Sequence, residues 1–577
     1  MSKPKLADYL SGSLLRLRQA ASDELHAMSV YRALAFSGPA PLLQKPWPKR
    51  PKTPNQQFGE TIANGVLQLA GKQINFTNIQ DLWADPSPTR SFARSLHEFS
   101  WMSDLLSIKD KHKAKNLARQ HVDAWIENYG AWNRFAWSKE ITAERCLTWL
   151  AASKELFSGD AVAASTRLDA LGRQLRHLKS IIRVCEAGET RLWIAIALAT
   201  AGTCLYGMRV WQKTGLTLLE SELKVQILPD GGHIGRNPEV ATRLLFELIA
   251  LESLLKEYDQ IRPVFFQQVK DRLLPFVRFA TMTNGELAPF NGGGVGDKTL
   301  LYQQVQAADS NQKPFLIAPH SGYHRLQGNA SSLILDCGNL TPVTYSRNAH
   351  AGSLSFVFGT KAGALVTNCG WSSTIGDKWR GPSRTSAAHS TLIIDDVSSS
   401  RISTNHLATT ILGPVVYDRE TPVAVRRTEE EEGVWLTASH LEYVSRYGLQ
   451  HNRRLFLQRT GNDLRGEDSL ERPSGLKKTK NLQPIPFTIR FHLHPEVRAS
   501  ASRDGASVLL LLPNGEGWRF VCDCGTLTLE PSVYLAAGSP PKRSSQICVL
   551  GAADPNGIGE EPTNKICWSF HKIEPEG

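Results

Sequence analysis

The sequence has no apolar run long enough for a membrane-spanning helix. Its most apolar stretch, LWIAIALATAGTCLYGM at 192–208, contains threonine and glycine and is shorter than the roughly 20 residues that a span requires. The first residues, MSKPKLADYLSGSLLRLRQ, lack the apolar core and the small-residue cleavage pattern of a secretory signal. We therefore expect no transmembrane segment and a cytoplasmic protein.

Cysteine is scarce and shows no pattern. The 577 residues include nine cysteines, of which only Cys522 and Cys524 lie close together, in a C-x-C arrangement. An odd count without a C-x-x-C pair argues against a disulfide framework and against the usual cysteine zinc sites. We expect reduced and mostly buried thiols.

The sequence also lacks the motifs of nucleotide and nucleic-acid binding. In GGGVGDKT at 292–299, Asp297 stands where a phosphate loop requires the glycine before its lysine. The net charge of +11 and the pI near 9.1 attract polyanions. However, the basic runs at 45–52 and 109–115 contain no aromatic ladder on which bases stack. We expect no nucleic acid, which leaves acidic polysaccharides and anionic membranes as partners.

The spacing of apolar residues changes near the middle of the chain. From about 116 to 279 apolar residues recur at helical spacing, as in Leu244, Leu248 and Leu251, and short polar breaks separate the segments, which predicts antiparallel helical hairpins. After Pro289 the segments are short, alternating and rich in β-branched or aromatic residues, which predicts an antiparallel sandwich. We expect a partly helical N-terminal extension (1–50), a helical domain (51–285), an interdomain connection (286–310) and a β-sandwich domain (311–577).

Leucines follow helical spacing at the start of the chain. Leu6, Leu10, Leu14 and Leu17 would form one apolar stripe on a helix. Such a stripe fits docking onto the protein's own surface, and with neighbouring arginines it also fits a helix lying on a membrane. We favour docking.

Three polar residues each open or close a strand-like segment in the second half. His350, Asn368 and His389 would converge if these segments meet at one sheet edge. Two imidazoles and an oxygen suit Zn²⁺ and leave a fourth position for water. The spacing matches no short metal motif, so hydrogen-bonded structural histidines are the alternative.

Several linked segments resemble the heparinase II/III family of polysaccharide lyases. They are AHAGSLSF, LVTNCG and WRGPSRTSAAHSTLIIDD, preceded by QILPDGGHIGRNPE, and the resemblance runs from about 141 to 470. It implies an incomplete α/α toroid followed by a C-terminal antiparallel β-sandwich. An anionic, uronic-acid-containing polysaccharide or oligosaccharide would bind in the cleft between them and be cleaved by β-elimination.

The sequence departs from the lyase pattern where the chemistry is most demanding. β-Elimination needs donors that neutralise the uronate and groups that move two protons. Glu189 and Thr190 stand where family members carry an Asn-His pair, and Val240 stands where they carry the catalytic tyrosine. Asn348 replaces a histidine and cannot act as a base.

The metal-binding positions implied by the resemblance match the family pattern more closely than the catalytic positions do. His350 and His389 match the family's zinc-binding histidines, and Asn368 replaces the aspartate between them. An amide oxygen is a weaker zinc ligand than a carboxylate. The resemblance therefore implies either one zinc or another divalent metal in the β-domain, or a vacant site held by hydrogen bonds.

The remaining candidates carry charge or a transferable proton. Arg236 matches a family position, and Arg380 and Arg384 lead into the His389 strand. Guanidinium groups bind carboxylates or sulfates with two parallel bonds, and internal salt bridges across the domain interface are the alternative. As catalytic groups we name Arg236, Asn348, His233 and Tyr323, although a histidine beside the Gly-Gly turn also suits a capping role.

Three functional hypotheses follow. The first is a lyase acting on an anionic glycan. The second is a non-catalytic anionic-glycan-binding protein or envelope polysaccharide-processing scaffold that kept the fold. In the third, His350 or His389 is the base and Arg236 neutralises charge. Family habit would place the protein in the periplasm or cell envelope, against the cytoplasmic expectation. The sequence does not specify an oligomeric state, and a dimer is compatible with it.

Overall fold

The first half of the protein is helical. The computed structural model describes residues 6–43, 45–47, 50–306, 314–372, 374–403, 405–417, 422–476, 483–538, 540–556 and 564–574. The helices of this half are α1 (Leu6–Ala27), α2 (Ser29–Ala35), α3 (Gln56–Ala63), α4 (Ile79–Ala84), α5 (Arg90–Glu98), α6 (Met102–Leu106), α7 (Lys111–Tyr129), α8 (Lys139–Ala151), α9 (Ser153–Leu156), α10 (Ala161–Ile181), α11 (Glu189–Cys204), α12 (Arg209–Gln226), α13 (Pro238–Glu257), α14 (Phe265–Ala280) and α15 (Lys298–Leu301).

The most apolar stretch of the sequence forms α11, at the centre of this helical domain. Every residue from Leu192 to Cys204 is buried, and α11 packs against α8, α12 and α13. Two short two-stranded sheets complete the domain: β1 (Leu42–Leu43) pairs with β4 (Leu205–Tyr206), and β2 (Val66–Leu69) pairs with β3 (Lys72–Asn75). Among the described helices, none combines the length and the apolar character that crossing a bilayer requires.

Capping fixes where α13, which faces the second domain, begins. The Asn237 side chain accepts a hydrogen bond from the Glu239 N–H at 2.9 Å, and Pro238 occupies the first turn of α13. Both features favour the start of a helix. The N-cap oxygen accepts a hydrogen bond from a backbone N–H that has no partner within the helix, and proline has no N–H that needs a partner. Glu239 and Val240 therefore stand in the first turn of α13, at the edge of the helical domain.

The second half is a sandwich of two antiparallel sheets. The first sheet has the order β21-β22-β17-β9-β8-β7-β6-β5, with β10 also on β17, and the second has the order β13-β14-β15-β16-β23-β20-β19-β18. The first comprises β5 (Ile317–Ala318), β6 (Tyr323–Gln327), β7 (Ser331–Asp336), β8 (Phe356–Thr360), β9 (Gly363–Thr367), β10 (Leu392–Ile394), β17 (Ile485–Leu493), β21 (Thr526–Tyr534) and β22 (Lys542–Ala553).

Strands of the second sheet alternate buried and exposed residues, as one covered face requires. They are β13 (Ala424–Glu429), β14 (Gly433–His440), β15 (Gln450–Gln458), β16 (Asp463–Glu471), β18 (Arg498–Ala501), β19 (Ser507–Leu511), β20 (Gly517–Cys522) and β23 (Lys565–Lys572). A small hairpin of β11 (Arg401–Ile402) and β12 (Val416–Tyr417) and the helices α16 (His406–Leu412) and α17 (Val444–Tyr447) lie in the connections. Phe356 and Phe491 from the first sheet meet Trp568 from the second in the core.

A charged group lies inside this sandwich core. The Asp468 carboxylate accepts hydrogen bonds from Arg453 at 2.8 and 3.0 Å, from His451 Nε2 at 2.7 Å and from the Trp568 indole at 2.8 Å. The Arg453, His451 and Asp468 side chains are fully buried. Although burial alone would raise the pKa of Asp468, the Arg453 guanidinium and the His451 hydrogen bond hold that pKa well below its usual range. The carboxylate is therefore charged at neutral pH.

The N-terminal helix docks onto the protein with its polar side. Arg16 Nε donates to the Ile411 carbonyl of α16 at 3.2 Å, and Gln19 Nε2 donates to Glu186 at 2.8 Å. Leu6, Leu10 and Leu17 stay 75, 64 and 68% exposed. The predicted docking is therefore present, but the leucine stripe does not form the contact.

Replacing Asp468 with Asn tests the buried charge. Asp468→Asn keeps the shape of the side chain and leaves the Arg453 guanidinium without a counter-charge in the core. Removing one partner of a buried ion pair costs about 3–5 kcal/mol, so we expect a large fall in the urea midpoint of unfolding.

Glu220→Gln is the matched control for Asp468→Asn. Glu220 pairs with Lys224 on α12 at 2.7 Å, where the two side chains are 42 and 71% exposed. Exposed pairs of this spacing contribute only about 0.3–0.5 kcal/mol. Equal losses in the two variants would contradict a stabilising role for the buried pair.

Candidate functional site

Arg236 clamps the two domains together. Its Nη2 pairs with the Asp336 carboxylate, Nε donates to the Ser321 carbonyl at 2.7 Å, and Nη1 donates to the Asn339 carbonyl at 3.1 Å. Ser321, Asp336 and Asn339 belong to the sandwich domain. The alternative prediction for this arginine, an internal salt bridge across the interface, describes what the structure contains.

The clamp depends on a left-handed backbone conformation at Arg236 and on the absence of a side chain at Gly338. Arg236 itself has φ +58°, a left-handed conformation that costs a non-glycine residue roughly 1–2 kcal/mol. Gly338 lies so close that a Cβ there would fall 2.0 Å from Arg236 Nη2. Strain and close approach of this kind persist only where the surrounding contacts compensate.

Tyr323 is part of the same interface. Its hydroxyl donates to the Arg236 carbonyl at 2.6 Å and accepts from Asn291 Nδ2 at 2.8 Å. Burial raises the pKa of Tyr323, and its side chain is 1% exposed. The hydroxyl is therefore engaged within the protein, which leaves it poorly placed to transfer a proton to a substrate.

The first turns of α11 and α13 face the sandwich domain across the cleft. Glu189 hydrogen-bonds Asn348, and its carboxylate lies within electrostatic range of Glu239 and Arg243. Glu239 accepts a hydrogen bond from the Gly294 N–H at 2.8 Å, and Arg380 Nη2 donates to Asn348 Oδ1 at 2.9 Å. The pKa values of Glu189 and Glu239 are raised, mainly because both carboxyls are buried. A uronate at this position would meet two acidic groups.

An ionic network continues from the cleft into the helical domain. Glu144 pairs with Arg243 and, at 2.8 Å, with Arg50, which also binds Glu247 at 2.8 Å. Arg243 lies 4.0 Å over the Trp193 ring. Although burial opposes it, pairing with Arg243 and Arg50 lowers the pKa of Glu144 to about 2. These arginines therefore already have carboxylate partners.

A second ionic link crosses the domain boundary. Glu186 binds Arg347 of the sandwich domain and Lys139 of the helical domain, each at 2.6 Å. Together with Glu189 and Asn348, this link ties the start of α11 to the segment 343–348. The predicted cleft is thus bridged by side chains of the protein itself.

His233 caps a turn. Its Nδ1 accepts the Gly235 N–H at 3.0 Å, so Nε2 carries the proton and donates to Gln226 Oε1 at 3.0 Å. Burial lowers the pKa of His233 to about 4, which keeps the ring neutral at pH 7. This is the capping role that the Gly-Gly turn indicated.

His350 and His389 come together, as their positions at strand ends predicted. His350 Nδ1 lies 3.1 Å from His389 Nε2. His389 Nδ1 donates to the Thr385 carbonyl at 2.7 Å, so its Nε2 is the acceptor and His350 is the donor. Burial lowers the pKa of both rings, that of His389 to about 4.

The third predicted metal ligand is committed elsewhere. Asn368 Oδ1 accepts the Ser390 N–H at 2.9 Å, and its Nδ2 is buried without a hydrogen-bond partner. Within the part of the chain that the structure describes, no group of three or more His, Cys, Asp or Glu side chains is placed to hold a metal ion. We interpret these contacts as a hydrogen-bonded pair of neutral histidines, a donor set that fits zinc poorly because two ligands are fewer than the three or four that protein zinc sites supply.

The two other arginines differ in availability. Arg384 is buried and donates to the Ala349 and Ser346 carbonyls at 2.8 and 3.2 Å. Arg380 is partly exposed beside Asn348 and lies 5.8 Å from the Trp371 ring. Arg380 is therefore the predicted anion contact that still reaches the cleft.

Sequence reasoning missed the acidic side of the interface. Asp230, in the break LPDGG, accepts from the Ser321 N–H at 2.7 Å and the His320 N–H at 2.8 Å, and Asp336 ends the buried strand β7. An acid that closes a fully buried strand needs a buried partner. That signal could have identified Asp336 but not its partner.

Comparisons with known proteins agree with this architecture. Residues 311–569 match the heparinase II/III-like C-terminal domain. Over 553 residues the chain is 34% identical to the FtsZ-localized protein C of Caulobacter vibrioides (strain NA1000 / CB15N), covering 94% of this chain and 92% of that protein.

Solved structures share the fold over nearly the whole chain. Heparinase III aligns with a TM-score of 0.67 and 14% identity, covering 97% of this chain and 92% of that one. The heparan sulfate lyase HepC of Pedobacter heparinus aligns with a TM-score of 0.53 and 14% identity, covering 98 and 91%. These similarities confirm the predicted toroid followed by a β-sandwich.

The metal prediction can be tested by restoring the missing charge. We expect neither zinc nor a chelator to shift the melting temperature of the wild-type protein, because Asn368 offers no charge and its oxygen is occupied. Asn368→Asp adds a carboxylate beside the histidines, so zinc should raise the melting temperature of this variant. Chelator-sensitive stability of the wild-type protein would contradict the hydrogen-bonded interpretation.

Proposed function

The chain belongs to the heparinase II/III-like family, and we propose that it is a scaffold that works with FtsZ and does not catalyse β-elimination. The lyase-like fold is present in full. The observation that carries the proposal is Glu189, which replaces the family's neutralising pair and hydrogen-bonds Asn348 across the cleft.

The electrostatics of the cleft oppose a uronate. β-Elimination places negative charge on the substrate carboxylate, which cations or hydrogen-bond donors must stabilise. Glu189 stands where the resemblance expects the neutralising pair, Glu239 lies within electrostatic range of it, and Arg243 is paired with Glu144. Carboxylates at this point would raise the barrier to proton abstraction.

The candidate proton-transfer groups also support a non-catalytic role. A general base needs a titrating group within reach of the substrate proton. Val240 has no transferable proton, Tyr323 is hydrogen-bonded inside the interface, and His233 caps a turn. In the third hypothesis His350 or His389 would work with Arg236, but Arg236 is bound to Asp336.

The similarity to a protein named for its localisation with FtsZ supports the second half of the proposal. The identity of 34% extends over both domains rather than the sandwich alone. We therefore propose that this protein is found with FtsZ in the cytoplasm. The partner is then a protein assembly, and the cleft contributes to shape rather than to turnover.

Absence of lyase activity can be measured directly. We expect no rise in ultraviolet absorbance from unsaturated uronate when the protein is incubated with heparan sulfate, chondroitin sulfate, hyaluronan or alginate. A heparinase III control should give product from heparan sulfate under the same conditions. Product from any of these glycans with the wild-type protein would disprove the non-catalytic proposal, whereas salt-sensitive binding without product would agree with it.

A restoration variant sharpens this test. Glu189→Asn, Thr190→His, Val240→Tyr and Asn348→His together return the residue types that the lyase pattern requires. If the fold alone is retained, we expect this variant to remain folded and to gain β-elimination that Glu189→Gln alone does not give. Activity already present in Glu189→Gln would instead identify a cleft that had kept its catalytic groups.

Localisation is the test of the FtsZ link. A fluorescent fusion of this protein should form a band that coincides with FtsZ in the source bacterium, and the band should disperse when FtsZ is depleted. The same fluorescent protein alone is the control. A uniform signal at normal FtsZ levels would contradict the proposal.

A further inference from the structure

A cavity of about 370 Å³ lies in the sandwich domain beside the edge strand β21. Trp379, Pro531 and Val533 supply apolar walls, and Ser532, His492 and Cys369 supply polar groups. None of these residues takes part in the domain interface described above. A concave, mostly apolar space with a few converging polar groups is the usual form of a small-ligand site.

Ser532 and His492 are hydrogen-bonded in this cavity. The Ser532 hydroxyl lies 2.8 Å from His492 Nδ1, and His492 Nε2 lies 3.0 Å from the Ala387 carbonyl. A carbonyl only accepts, so Nε2 carries the proton and Nδ1 holds a lone pair that faces the Ser532 hydroxyl and, at 3.6 Å, the Cys369 sulfur. The chain of hydroxyl, imidazole and carbonyl fixes both the tautomer and the orientation of the ring.

Ser532 is more exposed to solvent than His492. Ser532 is partly exposed on β21, whereas the His492 side chain is 3% exposed. Burial is the main reason why the pKa of His492 falls to about 3, so the ring is neutral at pH 7. The hydroxyl is therefore open to a ligand, and the neutral ring behind it presents its Nδ1 lone pair to that hydroxyl.

A hydrogen-bond donor stands next to the hydroxyl. The backbone N–H of Val533 points to the Cys369 sulfur, and this sulfur lies 4.0 Å from Ser532 Oγ. The amide that follows a nucleophilic serine is a common donor to the oxyanion of acyl transfer. The Val533 N–H has that position in the chain, and a substrate oxyanion would take it over from the Cys369 sulfur.

We propose that Ser532 and His492 form a nucleophile–base pair that hydrolyses short acyl esters in this cavity. A nucleophile bonded to a base, with the base oriented by a third group, is the arrangement that such chemistry needs. The proposal is independent of the cleft and of the FtsZ link.

The two steps balance with water as the only co-reactant. Ser532 Oγ bonds to the ester carbonyl carbon while its proton passes to His492 Nδ1, and the carbon–oxygen bond to the alcohol breaks as His492 returns that proton to the leaving oxygen. Water then attacks the acyl-serine and loses its proton to His492. The Ser532 oxygen leaves and recovers the proton, which releases the carboxylic acid.

A fluorophosphonate probe and p-nitrophenyl acetate test the proposal on the full-length protein. We expect the probe to form one adduct, mapped to Ser532 by mass spectrometry, and the ester to be hydrolysed. Ser532→Ala should abolish both. His492→Asn should slow labelling by at least about 100-fold, since a positioned general base contributes 10²–10⁴-fold.

Ser544→Ala is the matched control. Ser544 lies opposite Ser532 on the neighbouring strand β22 and is also partly exposed, but it is not among the residues that line the cavity. Labelling of this variant should match the wild type. Circular dichroism checks each fold, and Ser532→Ala carries the test if His492→Asn does not fold. Failure of folded wild-type protein to label beside a serine hydrolase standard, equal labelling of Ser532→Ala, or an adduct on Cys369 instead would overturn the proposal.

Discussion

The contact between Arg236 and Asp336 is the constraint on which the geometry of the cleft depends. It joins the residue before the cap of α13 to the end of strand β7, and both side chains are over nine-tenths buried. Separating such a pair would leave a charge in a poorly solvated interface. The first turn of α13, with Glu239 and Val240, is consequently held at a fixed distance from Asn348. The clamp thus sets which residues face the cleft, whatever chemistry they perform.

The sequence predicted the elements better than their partners. The change of pattern near the middle of the chain predicted the helical half and the β half, and the positions of His350 and His389 at strand ends anticipated a contact that measures 3.1 Å. Apolar spacing shows which side of an element is apolar, but it does not show what covers that side. For this reason the leucine stripe of α1 predicted docking and not its orientation. The partner of Arg236 lies 100 residues away, beyond the reach of any local pattern.

Ionic pairing limits which arginines near the cleft are available to a ligand. A cleft that binds an anion must keep cations available, and availability is lost when carboxylates of the same chain bind them. Glu144 and Glu186 have this effect on Arg243 and Arg347. The fold is stabilised by the same contacts that would block a uronate. Under the proposed function these guanidinium groups stabilise the fold rather than bind a ligand, and a lyase-like architecture can persist without lyase chemistry.

The position of β23 has a consequence for how the protein is made. It comes last among the described strands in chain order, yet it lies between β16 and β20 in the middle of the second sheet. Until β23 has been synthesised, the edges of β16 and β20 that it will pair with are unpaired. Unpaired strand edges can pair with other chains. Asp468 on β16 also waits for the Trp568 indole. Translation must therefore pass residue 572 before the second sheet of the sandwich is complete. A nascent chain that stalls earlier exposes unpaired strand edges that quality-control factors can recognise.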